Sequence, residues 1–143
     1  MIDKIIKYKN RISILRGLSE DNIKSIIKDC HILKFDEGEE IIHQGDDTKN
    51  VYFLIEGDAK VIVKDKEVAS IKPKQAFGEL SVISNQKRNA TVIANKTCKV
   101  ISFIFAMDIL NKHHSAFADL YKNICNELIL KLDNANRRNY QQQ

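Results

Sequence analysis

No stretch of the chain approaches the run of about 18 to 20 apolar residues that a membrane-spanning helix needs. The amino terminus, Met1-Ile2-Asp3-Lys4-Ile5-Ile6-Lys7, carries charges throughout and lacks the apolar core of a secretory leader. Both absences point to a cytoplasmic chain. Cysteine is scarce as well: Cys30, Cys98 and Cys125 are odd in number and without paired spacing, so they read as small buried hydrophobes rather than as a disulfide frame or zinc site. The formal charge is +4, but there is no arginine cluster interleaved with aromatics and no recognition helix, so neither nucleic acid nor membrane is an expected partner. That mild positive balance suits anionic ligands in general.

Catalytic parts are missing too. A metal-dependent barrel enzyme needs several His or Glu ligands converging from its strands, and among the strand-like segments only His43 is available; His113-His114 close a helical segment, where a cation complements the helix dipole. No serine or cysteine stands in a nucleophile elbow or beside a base. No enzyme activity, metal or cofactor is expected.

What is present is enough for one core and too short for two: 143 residues, 43% of them hydrophobic, make a single domain. Residues 1–29 read as helices, with Ile2, Ile5, Ile6 and Ile12 at near-helical spacing and Ser19-Glu20-Asp21-Asn22 opening a second helix that buries Ile23, Ile26 and Ile27. Residues 30–104 hold short runs rich in Ile, Val and Phe at 31–35, 40–44, 51–56, 58–64, 67–71, 91–94 and 98–104. Turn residues such as Asp36-Glu37-Gly38, Gly45-Asp46-Asp47 and Lys64-Asp65-Lys66 separate them. Strands this short and close predict a mainly β sandwich or barrel with flanking helices. Residues 105–138 return to helix, and Phe117, Leu120, Tyr121, Ile124, Leu128 and Leu132 form a stripe that Cys125 and Ile129 widen. A sector broader than one contact face needs a deep groove or two partners, which leaves a homodimer and simple packing on the chain's own barrel as equal alternatives.

The segment 77–91 carries the chemistry. In Phe77-Gly78-Glu79-Leu80-Ser81, Gly78 permits close backbone approach and a left-handed conformation. Leu80-Ser81-Val82-Ile83 then starts a short helix whose first N–H groups lack internal partners. A phosphate satisfies those donors. Arg88, in Arg88-Asn89-Ala90-Thr91, adds a permanent planar cation whose fork matches two phosphate oxygens, each such bond being worth roughly 1.5 to 3 kcal/mol. Glu79 as a carboxylate only accepts hydrogen bonds, so its natural partner is a hydroxyl. An anion beside a hydroxyl describes a sugar phosphate. The plainer alternative, Arg88 paired with Glu79 merely to hold a loop, explains neither the glycine nor the helix start.

The order Phe-Gly-Glu-Leu-Ser, six residues, then Arg-Asn-Ala-Thr resembles the phosphate-binding cassette of cyclic-nucleotide-binding domains. The resemblance extends through Gly38-Glu39-Glu40-Ile41-Ile42-His43-Gln44-Gly45-Asp46 and Val51-Tyr52-Phe53-Leu54-Ile55-Glu56-Gly57, and covers roughly residues 13 to 138. It implies an eight-strand barrel of jelly-roll (double-stranded β-helix) type with flanking helices. It further implies that Glu79 holds the ribose 2'-hydroxyl, that Arg88 holds the cyclic phosphate, and that the backbone of Gly78, Leu80, Asn89 and Ala90 completes the cradle, with Ser81 beside it. Val61, Val68 and Ala69 would line the base pocket.

The implied ligand is cyclic AMP, with cyclic GMP open because Asn89 stands where relatives commonly carry Ala, Ser or Thr and offers both donor and acceptor. Lys74, where relatives have glycine after Pro73, implies a turn of non-glycine conformation and added positive field at the site mouth. Arg137 and Arg138 could stack on a base, but near the polar end Asn139-Tyr140-Gln141-Gln142-Gln143 they read as solvated. The expected protein is a stand-alone sensor whose C-terminal helices repack on binding and act on a separate effector protein. A nucleotide-independent scaffold domain and a fragment of a larger regulator, channel or kinase are the alternatives.

Overall fold

A computed structural model of the chain describes residues 1–141. Helix α1 (Ile2–Lys7) and helix α2 (Glu20–Ile26) precede the strands. Ser19 caps α2 by accepting the Asn22 N–H at 3.1 Å, and Glu20 and Asp21 set negative charge against its dipole. The helix expected to reach residue 29 stops at Ile26. Ile27 already pairs with Phe105 and opens a strand, and its side chain stays buried, so one apolar stripe serves both conformations.

Eight strands follow: β1 (Ile27–Phe35), β2 (Glu40–Ile42), β3 (Val51–Glu56), β4 (Ala59–Val63), β5 (Lys66–Ile71), β6 (Ala76–Phe77), β7 (Thr91–Ala94) and β8 (Cys98–Phe105). They form two four-stranded antiparallel sheets, ordered β1-β8-β3-β6 and β2-β7-β4-β5, rather than one closed ring. The two-residue β6, which local composition does not reveal, pairs Phe77 with Tyr52, whose rings stack at 5.2 Å.

Alternation along β3 explains the layering. Tyr52 and Leu54 point between the sheets and meet Ile42, Phe77, Val92 and Val100, while Val51 and Phe53 point outward with Ile101 and Phe103. Against that outer face pack Ile14, Leu15, Leu18 and Ile23 with Phe117, Leu120 and Ile124 of helix α4 (His114–Gln141). A strand buried on both faces reads as a continuous apolar run, as Val-Tyr-Phe-Leu-Ile does here. Each fully buried Phe or Leu contributes about 1.5–3 kcal/mol of hydrophobic stabilisation.

Two turns settle sequence expectations. Lys64 (φ 50°) and Asp65 (φ 65°) form the two-residue mirror-type turn that matches the twist of the β4–β5 hairpin. Lys74 adopts φ 73°, so this turn keeps the left-handed conformation a glycine would use, contrary to the expectation of a non-glycine geometry. Its N–H donates to the Leu54 carbonyl at 2.8 Å, which holds the backbone there while the side chain faces solvent.

The first half of α4 is locked down. Ala116, Phe117, Leu120 and Ile124 are buried, and Asn123 Nδ2 donates to the carbonyls of Ile14 (2.9 Å) and Arg16 (2.8 Å). The second half leaves Ile129, Leu130 and Leu132 exposed. Cys30 and Cys98 are buried, but Cys125 is exposed, because it lies on the side of α4 turned away from the sheets. Of the polar carboxyl end, Gln142 and Gln143 lie outside the described residues. Among the described residues no helix is long and apolar enough to cross a membrane.

Candidate functional site

Gly78 follows β6 with φ 75°, and a methyl group there would stand 2.9 Å from Arg88 Nη1 and 3.1 Å from the Asn50 carbonyl. Glycine is therefore favoured by its backbone angle and, more specifically, by the closeness of its neighbours. The chain then turns into helix α3 (Leu80–Ile83), as its sequence predicts, with Val82 buried beneath it. Ser81 Oγ donates back to the carbonyls of Gly78 (2.7 Å) and Lys49 (3.0 Å), so its hydroxyl hydrogen serves the loop itself.

Arg88 is drawn in from the other side of the segment. Its N–H donates to the Asp46 carbonyl at 2.8 Å, and its carbonyl accepts from Gly45 at 2.9 Å. The guanidinium is buried: Nε donates to Thr48 Oγ1 (3.0 Å), Nη1 to the Gly78 carbonyl (3.0 Å) and Nη2 to the Asn50 carbonyl (2.6 Å). Asn50 is itself anchored by Nδ2 donating to Ser102 Oγ on β8 at 2.9 Å. All three partners are neutral, and among the described residues no carboxylate pairs with this cation. Burial pushes the guanidinium below its ordinary pKa, while the fields of Tyr52, Asp46 and Glu79 push it back. Of five N–H donors three are used, which leaves one on Nη1 and one on Nη2.

The pairing of Arg88 with Glu79 considered from sequence does not occur. Glu79, 2% exposed, accepts instead from Lys131 Nζ of α4. The backbone N–H groups of Gly78, Leu80, Asn89 and Ala90 make no hydrogen bond within the described residues.

These groups share one cavity of about 580 Å³, whose lining includes Gly78, Glu79, Leu80, Ser81, Arg88, Asn89 and Ala90. Its apolar end is built by Val61, Val68, Ala69 and Val92, where Val61 is the cross-strand partner of both Ala69 and Val92. Val68 is exposed at the rim. Leu128, Lys131 and Arg138 of α4 close the far wall, and Arg138 Nη1 donates to the Val68 carbonyl at 2.7 Å. Arg138 is thus tied to the rim rather than only solvated, since a long helix brings it across the hairpin; Arg137 is exposed. Lys74 is not part of the lining, so its charge does not stand at the mouth as expected. His43 pairs with Glu40 at the surface, away from the lining.

Residue-level reading missed Thr48 and Asn50, which hold Arg88, and the bond from Lys131 to Glu79. Only the position of Asn50 immediately before a strong strand was a signal, and it speaks of a turn rather than of a site.

The family model of the cyclic nucleotide-binding domain matches residues 32–105. A cAMP-dependent protein kinase regulatory subunit of Yarrowia lipolytica is 32% identical over 98 residues, covering 68% of this chain and 26% of that protein. A cGMP-dependent protein kinase of Eimeria tenella is 28% identical over 100 residues, covering 66% and 10%. The chain therefore spans about a quarter or less of these two relatives. In fold, a cyclic nucleotide-binding domain from Methylobacillus flagellatus superposes with a TM-score of 0.77 at 13% identity, over 99% of this chain and 84% of that one. With the matching segment running from β1 through the cassette to the end of β8, this chain belongs to the cyclic nucleotide-binding domain family.

Proposed function

We propose that the chain is a regulatory sensor that binds a 3',5'-cyclic nucleotide, cyclic AMP in the first place, and is not an enzyme. One observation carries this: Arg88 is a buried cation with only neutral partners, and it lines one cavity with Gly78, Leu80, Asn89 and Ala90, whose backbone N–H groups are unfilled. Buried charge without a counter-charge is costly, and a singly charged cyclic phosphate supplies one. The two remaining N–H groups on Nη1 and Nη2 take its oxygens, and the backbone donors complete the cradle. Glu79 accepts the ribose 2'-hydroxyl, and the base lies along Val61, Val68 and Ala69, with Asn89 at the rim leaving guanine open. Ser81 braces the loop through its hydroxyl.

Binding acts on α4, because Leu128, Lys131 and Arg138 form the far wall of the same cavity. A ligand shifts the packing of that helix only by its differential affinity for the two arrangements. The output passes to a separate effector protein, and the exposed Ile129, Leu130 and Leu132 offer a second copy of the chain a surface for a homodimer. Sedimentation at tens of micromolar tests the dimer, and a monomer with and without ligand removes it.

The test of the ligand is calorimetric titration of nucleotide-stripped protein with cyclic AMP and cyclic GMP, alongside Arg88→Ala. Losing two charge-assisted bonds of about 1.5–3 kcal/mol each predicts an affinity fall of about 10²- to 10⁴-fold. Equal affinity in the variant places the phosphate elsewhere. No heat and no thermal stabilisation with either nucleotide favours a nucleotide-independent scaffold.

A further inference from the structure

Beyond Leu128, α4 crosses the open side of the cavity with little apolar anchorage, since Ile129, Leu130 and Leu132 face solvent. Two cations make its contacts there. Lys131 reaches the Glu79 carboxylate and Arg138 reaches the Val68 carbonyl, and a seven-residue spacing puts both on one face, two turns apart. Among the described residues Lys131 is the one side chain that donates to Glu79, and it does so at Oε1. The second oxygen keeps its capacity to accept, on a side chain only 3% exposed.

We propose that Lys131 is a positioning residue for the sugar hydroxyl: it holds Glu79 as an oriented acceptor with Oε2 available, and so ties recognition of that hydroxyl to the seating of distal α4. This rests on the site holding a cyclic nucleotide as set out above. An exposed ion pair would do neither, being worth little against the entropy of two flexible side chains. Here the acid is buried and the ammonium is the one side chain among the described residues that hydrogen-bonds it, so that cation compensates its charge and selects its orientation. When α4 lifts away, that cation leaves with it and the carboxylate is released to other rotamers; a hydroxyl then has to order its own acceptor. Linkage makes the effect reciprocal. A ligand that donates to Glu79 favours seated α4, and one lacking the hydroxyl exerts no bias by this route.

The experiment titrates parent, Lys131→Met and Lys131→Arg with 3',5'-cyclic AMP and with its 2'-deoxy analogue. Hydrogen exchange of peptides spanning residues 127–139 is followed in each complex. The parent should prefer the ribonucleotide by about 10- to 100-fold, the worth of one hydrogen bond to a charged acceptor. It should also show slower exchange of distal α4 with the ribonucleotide than with the deoxy analogue. In Lys131→Met the preference should shrink to about 3-fold or less and the exchange difference should vanish; Lys131→Arg should restore both. Full ribose preference in Lys131→Met overturns the assignment, as does an equal loss of affinity for both nucleotides, which marks a merely structural lysine. A parent that binds neither nucleotide overturns the site assignment itself and this inference with it, an outcome distinct from a parent that binds and discriminates while Lys131→Met does so equally well.

Discussion

Gly78→Ala tests how Arg88 is held. The substitution forces a side chain onto a backbone at φ 75°, a left-handed conformation that costs an L-residue roughly 1–2 kcal/mol. About 0.4–1 kcal/mol returns because alanine restricts the unfolded chain. The new methyl would also stand 2.9 Å from Arg88 Nη1, so the guanidinium must retreat and give up its 3.0 Å bond to the Gly78 carbonyl. A hydrogen bond to a charged group is worth about 1.5–3 kcal/mol. Together these terms predict about 1.5–4.5 kcal/mol of destabilisation, or a melting temperature lower by about 5–18 °C at roughly 3–4 °C per kcal/mol. Gly38→Ala is the control, because Gly38 has φ 89° but nothing within 4 Å of its would-be methyl. It carries only the backbone part, about 0–1.5 kcal/mol. Thermal unfolding followed by circular dichroism reads the stability difference, and titration with cyclic AMP reads the site, where Gly78→Ala should lose at least tenfold in affinity and Gly38→Ala almost nothing. Equal melting shifts in the two variants, or unchanged affinity in Gly78→Ala, would refute the argument that close contact with Gly78 positions the arginine.

Gly57→Ala should destabilise at least as much as Gly78→Ala, because its methyl would stand 2.4 Å from the Thr97 carbonyl and 2.8 Å from Cys98 Cα, backbone atoms that cannot step aside. Its nucleotide affinity, measured well below the melting transition, should match the parent, since Gly57 is not part of the cavity lining. A thiol reagent at pH 8 should label one cysteine per native chain and three in denaturant. Burial pushes the Cys30 and Cys98 thiols up, so they stay protonated and unreactive as well as covered, while Cys125 is exposed. Rapid native labelling of Cys30 or Cys98, read by peptide mass, would contradict that burial.

How much of this molecule its sequence displays depends on how local each feature is. Gly78, Glu79 and Arg88 fall within one segment of the chain, so residue types and spacing suffice to expect an anion beside a hydroxyl there, and the structure brings all three to one cavity. The groups that hold those residues in place arrive from far away: Thr48 and Asn50 stand 40 and 38 residues from Arg88, and Lys131 stands 52 from Glu79. Nothing in the residues beside them marks these three as supports: Thr48 lies in a polar loop, Asn50 precedes a strand, and Lys131 interrupts an apolar run. Strand edges fail for a related reason. Ile27 satisfies a helical stripe as well as a strand, and Ala76–Phe77 is a strand only because Tyr52 and Phe53 lie beside it. Lys74 shows backbone geometry overriding residue preference, with a 2.8 Å bond to Leu54 holding a turn for which lysine has no preference.

Helix α4 is the instructive failure, because its apolar stripe is legible and yet misleads over half its length. At 28 residues it runs about 42 Å, and burial follows the stripe only as far as Ile124 and, partly, Leu128. Beyond that point Ile129 and Leu132 extend the stripe but stay exposed, without a surface to meet. The helix is nevertheless held there, by Lys131 and Arg138 reaching across the cavity to Glu79 and Val68. Apolar packing of Ala116, Phe117, Leu120 and Ile124 makes the proximal half part of the core. Two polar contacts on the rim of the cavity hold the distal half, and on the proposed function this is the part whose position a ligand changes at the least cost.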